Sequence, residues 1–379
     1  MTNPSVVNNG LAGVVAAATR LSDVDGLAGH LTIAGFELED LVLKATFEET
    51  VYLLWYDRLP DAAELAAFRS ELANYRAISD TAIDALREAA KKQLPPMDAL
   101  RIGASMVSLS LDDPNDNEEA ARAIVAAMPT IVAAYWRLLQ GSNPIAPRSD
   151  LSHTANYLYM MSGEAPDPER TRALETYLNT VVDHGLNAST FAARVIIATQ
   201  SDMVSAVVGA IGALKGPIHG GAPGPALDMV FEIGSKENAE PVMRAILERG
   251  DRLMGFGHRV YKVRDPRAGV LNSAAEQFFV DGDQAEFYAL VRHAEDTAIR
   301  LLEEYKPGRK LQTNVEFYTA LVLHGVGLDT SFFTPTFAVS RVAGWTAHAF
   351  EQIETGRLIR PASVYDGERG RQWVPVEER

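Results

Sequence analysis

Gly216-Pro217-Ile218-His219-Gly220-Gly221 interrupts a helix-forming background, and two further islands of the same kind follow it. One is Gly255-Phe256-Gly257-His258-Arg259, running on to Asp265-Pro266-Arg267; the other is Asn314-Val315-Glu316-Phe317. Each sets a proton-handling side chain on a segment punctuated by Gly, Pro or a capping residue. Outward from these islands the pattern stays helical. Asp61-Ala62-Ala63-Glu64 reads as a capping box, after which Leu65, Phe68, Leu72 and Tyr75 share one helical face. The periodicity predicts helices over 80–94, 97–109, 117–139, 168–184, 188–198, 202–215 and 223–233. Others are predicted over 239–249, 272–279, 287–305, 315–323 and 334–354. Pro95-Pro96, Asp113-Pro114-Asn115, Gly141-Ser142-Asn143-Pro144 and Lys306-Pro307-Gly308 mark breaks. Period-2 alternation is nearly absent, and only 30–36 reads as a small strand pair. The fold class is therefore all-α, with no internal repeat or heptad run, and 216–224 is the best hinge.

Composition narrows the function. A chain of 379 residues can bury a large core and divide into two lobes. A net charge of −15 disfavours broad nucleic-acid binding, so the few basic clusters carry information. Arg259, Lys262, Arg264 and Arg267 form one, Lys306, Arg309 and Lys310 a second, and Arg357, Arg360, Arg369 and Arg371 a third. A basic cluster alone is usually a solvated face, but clusters beside candidate catalytic residues read as an anion site. Cysteine is absent, which excludes disulfides, thiolate metal sites and a Cys nucleophile, and fits a cytoplasmic location. The N-terminus lacks a basic segment followed by an apolar stretch, so no secretion signal is expected. No apolar run is expected to span a membrane. The strongest candidate, 187–214, carries Arg194 and Asp202 and reads as buried helix.

His219, between glycines, is either an incidental side chain on a helix-to-helix turn or an imidazole the backbone brings close to a ligand. His258 and Arg267 offer a donor for a carbonyl and a bidentate clamp for a carboxylate. A pre-proline Asp265 biases that segment toward extended backbone, which sets Arg267 on a turn. Glu316 opens a helix capped by Asn314; it either complements the helix dipole or acts as a general base. His184 follows a helix and, taken alone, reads as a core or cap histidine. His30, His153, His293, His324 and His348 lack informative spacing. No HExxH pattern, phosphate-binding glycine loop or nucleophile elbow is present.

Taken together the islands resemble the citrate synthases, in the short bacterial and archaeal form. The resemblance runs along nearly the whole chain, from Gly10-Leu11-Ala12-Gly13 and Phe47-Glu48-Glu49 through Tyr52–Tyr56 and Asn187–Thr190 to Arg341–Trp345 and Arg360-Pro361. It implies a two-domain helical fold, with 1–219 and 332–379 forming a large domain and 220–331 a smaller mobile one. Implied roles fall on His219 for enolate formation, His258 for polarising oxaloacetate, and Glu316 as catalytic carboxylate. Oxaloacetate-binding residues match His184, Arg267 and Arg341, with Arg360 reaching into the partner's site of a homodimer. Lys262, Arg309 and Lys310 match basic residues that bind coenzyme A phosphates. One departure stands out, because the family's usual Asp is Glu at position 316.

The implied substrates are acetyl-CoA and oxaloacetate, with no permanently bound cofactor, no metal, no nucleic acid and no membrane. The nearest rival is a 2-methylcitrate synthase using propionyl-CoA. Rivals of other classes are a helical binding or regulatory protein that has lost catalysis and a metal-dependent hydrolase. Retention of His219, His258 and the three arginines argues against decay.

Overall fold

The structure, a computed structural model, describes residues 8–11, 13–219, 223–258, 261, 263–279 and 282–379. Sixteen α-helices are described, with one antiparallel three-stranded sheet. Its strands, Ser22–Asp25, His30–Ile33 and Phe36–Glu37, pair in chain order, with Ser22 opposite Ile33 and Thr32 opposite Glu37. The expected strand pair is thus a triplet. Its first strand, Ser-Asp-Val-Asp, is too polar to announce itself and is held by pairing with the buried Leu31 and Ile33 edge.

Two helices form the centre. Asn117–Leu139 is capped by the Asp116 carboxylate, which accepts from the Glu118 and Glu119 amides, and is buried from Glu119 through Tyr135 apart from Arg122. Its alanines let neighbours approach on every side, so the amphipathic stripe of a surface helix is missing. This helix is long and apolar enough to cross a membrane, contrary to expectation, yet 72% of the relevant window is buried inside the protein. The second, Phe333–Thr355, packs against Phe47–Tyr56, Asn117–Leu139, Pro168–Val181, Ala188–Ile197 and Met203–Leu214. Fully buried side chains such as Leu174, Leu178, Ile211 and Val342 supply the driving force, at about 1.5–3 kcal/mol for each large aliphatic group.

Beyond residue 223, the Lys236–Glu248 helix packs on Gly282–Tyr305, and Pro266–Phe278 packs on both Val315–Gly325 and Pro168–Val181. That last contact brings the second and third islands against the central helices. Several helix boundaries depart from expectation: the 287–305 helix starts at Gly282, and the 80–94 helix ends at Lys91. The helix from Pro96 ends at Ser105 and tightens into a 3-10 turn over Met106–Ser110. The helix expected over 272–279 starts at Pro266, so Arg267 lies in a first helical turn rather than on a free turn. The pre-proline bias holds at Asp265, which is extended and caps the helix, and proline at the first helical position starts it at the next residue. Phe47–Tyr56 and His153–Ser162, buried on most sides, carry too little periodicity to be predicted.

Candidate active site

His219 closes a turn in which its amide donates to the Gly216 carbonyl at 2.9 Å. Its Nε2 lies 2.8 Å from Ser189 Oγ and receives the Ser189 backbone N–H at 3.3 Å. An amide can only donate, so Nε2 is the unprotonated nitrogen and the imidazole proton sits on Nδ1. Ser189 opens the Ala188–Ile197 helix behind the Asn187 cap, and its hydroxyl accepts from the Trp345 indole at 3.1 Å. Residues distant in sequence therefore set the tautomer of His219.

The second and third islands form one folded unit. The Gly257 amide donates to the Gln312 carbonyl at 2.7 Å, and the Asn314 amide to Gly255 at 3.0 Å. Gly255 is required twice over: its φ is +86°, and a Cβ there would lie 2.8 Å from the Phe317 side chain. The buried Asp265 carboxylate joins the parts. It grips Arg267 through Nε at 3.0 Å and a terminal nitrogen at 2.8 Å, and it accepts the Val315 amide at 3.2 Å. One anion thus fixes a guanidinium against the helix turn that carries Glu316. Asn314 caps that helix as expected, accepting from the Glu316 amide at 3.0 Å.

His258 Nδ1 receives the Tyr261 backbone N–H at 3.1 Å, which leaves the ring proton on Nε2. Nε2 lies 3.4 Å from a terminal nitrogen of Arg267, which also can only donate; a neutral ring accepts at one nitrogen alone, and the shorter amide contact decides it. Two donors aimed at one spot define a place for oxygen. His184 enters from the loop after Pro168–Val181, its ring centroid 5.9 Å from that of His258. Arg341 donates from Nε to the Val181 carbonyl at 2.7 Å and holds the end of that helix. Asp183, beside His184, accepts from Ser22 and from His348 Nε2 at 3.3 Å, and His348 Nδ1 accepts a hydrogen bond from Arg194 at 2.9 Å. Gly344 lets the central helix approach this loop, since a Cβ would strike the Val182 carbonyl and the Asp183 carboxylate.

Burial dominates the electrostatics. It pushes the Glu316 carboxyl up to about 7 against the pull of Arg267, with Asp265 adding to the rise and Arg341 opposing it. It lowers His219 to about 4, helped by Arg341, and holds His184 well below the usual histidine range, helped by Arg267 and Arg341. Both imidazoles are neutral donors at pH 7. Burial also lowers Arg341 to about 10, while Asp183 works the other way. For Arg267 burial opposes the charge, but the Asp265 pair outweighs it and keeps the guanidinium pKa above its ordinary value. The Arg341 charge is therefore felt by His184, His219, Asp183 and Glu316.

The remaining expected residues lie elsewhere. Arg309 and Lys310 are exposed on the loop that pairs with Gly257, at the edge of the centre rather than in it. Lys262 lies outside the described residues. Arg360 is exposed on the segment after Gly356. Sequence reasoning gave no role to Asp183, Ser189, Tyr261 or His348, and treated Asp265 only as an opposing charge and a pre-proline residue. The Asp-Pro-Arg step, a cap, a first-turn proline and a possible clamp in three residues, could have marked Asp265. Among the described residues no group of three His, Cys, Asp or Glu side chains is arranged to hold a metal ion.

Neutral imidazole donors, a carboxyl poised near neutrality and two buried guanidiniums define a helical acid–base enzyme for a carboxylate-bearing substrate. Comparison with known proteins agrees. The family described as citrate synthase, C-terminal domain, matches residues 10–362. Citrate synthase 2 of Bacillus subtilis is 42% identical over 98% of both chains. A 2-methylcitrate synthase of Mycobacterium tuberculosis is 38% identical over 98% of this chain and 94% of its own. The citrate synthase of Thermoplasma acidophilum, solved with carboxymethyl coenzyme A and oxaloacetate, superposes with a TM-score of 0.86 at 31% identity, covering 97% of this chain and 98% of its own. The chain belongs to the citrate synthase family.

Proposed function

We propose that this enzyme condenses acetyl-CoA with oxaloacetate and water to give citrate and coenzyme A. The observation that carries the reading is the tautomer pair, His219 protonated on Nδ1 and His258 on Nε2, beside a carboxyl with a pKa of about 7. A thioester methyl is a very weak carbon acid, so the developing enolate needs a donor on its oxygen. Nδ1–H of His219 supplies that donor, an interaction of a kind worth about 10²–10³ in rate. Glu316 takes the proton, and a base with a pKa close to the working pH suits that task. The carbon nucleophile then attacks the oxaloacetate ketone, while His258 Nε2–H donates to the oxygen that becomes alkoxide. Arg267, Arg341 and His184 hold the carboxylates. Hydrolysis of the citryl thioester releases coenzyme A.

Residues 220–331 act as a smaller domain that closes over the substrates and keeps water out until condensation is complete. Arg309 and Lys310, exposed on the loop before Thr313, bind coenzyme A phosphates together with Lys262. The active unit is a homodimer in which Arg360 completes the partner's site. This is supported by a C-terminal segment that leaves Leu358, Val364, Tyr365, Trp373 and Val376 exposed on a single chain. The absence of cysteine supports a cytoplasmic location.

The relative named 2-methylcitrate synthase supports a second reading, with propionyl-CoA as acyl donor. One methylene separates the two donors, a difference worth only about 1–3 kcal/mol in a pocket. Thiol release from acetyl-CoA and propionyl-CoA, each with and without oxaloacetate, tests both. With no cysteine in the chain, a thiol reagent reports free coenzyme A alone. Oxaloacetate-dependent release with a higher kcat/KM for acetyl-CoA supports the first reading; a higher value for propionyl-CoA supports the second. No dependence on oxaloacetate sinks both.

A further inference from the structure

Tyr261 is the residue that both substrate-side imidazoles share. It is only 3% exposed. Its backbone N–H donates to His258 Nδ1 at 3.1 Å, and its hydroxyl lies 3.0 Å from His184 Nε2. Its ring meets the His258 ring at a centroid distance of 4.9 Å and the His184 ring at 5.6 Å, and the Arg267 guanidinium lies 5.8 Å from its centre. His184 stands on the loop after Pro168–Val181, whereas Tyr261 stands on the loop before Pro266–Phe278, so the hydroxyl bridges two separate elements.

The direction of that bridge follows from donor accounting. A buried phenol O–H must find an acceptor, and among the described residues the hydroxyl has no partner other than His184. Burial holds the phenol protonated and His184 neutral, so His184 carries a single ring proton. The hydroxyl therefore donates to Nε2, and the His184 proton is left on Nδ1.

We infer that Tyr261 is a positioning residue that fixes the tautomers of His184 and His258 together, one through its hydroxyl and the other through its backbone amide. It thereby presents both rings as donors to oxaloacetate. A phenylalanine here keeps the ring packing and the amide bond to His258 but frees His184 to flip or change tautomer. The loss falls on substrate binding rather than on the chemistry, because His184 holds a carboxylate and takes no part in moving protons.

The inference rests on the proposed oxaloacetate site, and its test has an arm that does not. In Tyr261→Phe, steady-state kinetics should give an oxaloacetate KM raised about tenfold, the most that one neutral hydrogen bond usually carries, with kcat at saturation within about threefold of wild type. Ring 15N shifts of the substrate-free protein should give Nε2 unprotonated for His184 and Nδ1 unprotonated for His258. In Tyr261→Phe only the His184 signal should move. An oxaloacetate KM within twofold of wild type, or His184 protonated on Nε2 in the wild type, overturns the inference. If Tyr261→Phe does not fold, 3-fluorotyrosine placed at 261 keeps the shape and makes a stronger donor. It should lower the oxaloacetate KM, and an unchanged value overturns the idea. Wild-type protein that neither binds nor turns over oxaloacetate would strike the proposed function instead, leaving the tautomer reading intact.

Discussion

At the scale of single residues, Glu316 carries the most consequence. A carboxyl with a pKa of about 7 is a base only above that pH, so kcat/KM should fall about tenfold per unit as pH drops below 7. A profile flat down to pH 5 would remove Glu316 as the base. Glu316→Gln should cut turnover by about 10²–10⁴ while oxaloacetate affinity, read by calorimetry, stays near normal. The same group bears on stability. Its folded pKa lies above the ordinary 4.5, so its stabilising contribution is complete below that value and is lost as pH rises through about 7. Glu316→Gln should therefore raise the free energy of unfolding, read by denaturant titration, more at pH 8 than at pH 5, by a difference bounded at about 3 kcal/mol. Equal shifts at the two pH values would contradict the buried charge. The longer side chain at this position adds a methylene, and its fit is set by the first turn of the Val315–Gly325 helix.

At the scale of elements, two devices hold the functional side chains. Asp265 caps one helix, binds Arg267 and accepts from the first turn of another. Removing its charge leaves a buried guanidinium without its counter-ion, so Asp265→Asn should cost about 3–5 kcal/mol in denaturant unfolding and raise the oxaloacetate KM. An affinity loss without any stability loss would mean that the pair serves binding alone. The second device is the contact at Gly344, where the central helix meets the loop of His184. Gly344→Ala must push that loop away. It should raise the oxaloacetate KM with little change in acetyl-CoA affinity, as substrate titrations would reveal.

At the scale of the molecule, the proposed homodimer is where the exposed C-terminal segment and Arg360 would find their contacts. If Arg360 completes the neighbouring centre, subunits carrying Glu316→Gln mixed with subunits carrying Arg360→Ala should regain activity. One of the two centres in such a heterodimer would be intact. No recovery after demonstrated exchange would count against a shared centre. The same arrangement predicts that removing residues 357–379 lowers turnover far more than it lowers the Tm of each chain.

The linear chain determined its helical class, because periodicity, caps and proline breaks are local properties. It also marked His219, His258 and Glu316 as candidates, because each occupies a short, unusual segment. Legibility stopped where neighbours in space take over. The start of the Pro266–Phe278 helix was misjudged because an extended cap followed by a first-turn proline was read as a free turn, and the packed Asn117–Leu139 helix was not recognised as long and apolar enough for a bilayer. Tertiary structure alone decided which imidazole nitrogen carries the proton, since the deciding groups are the Ser189 and Tyr261 amides and a distant hydroxyl. It alone decided the acidity of Glu316, since desolvation depends on what surrounds a carboxyl in three dimensions, not on what precedes it in the chain.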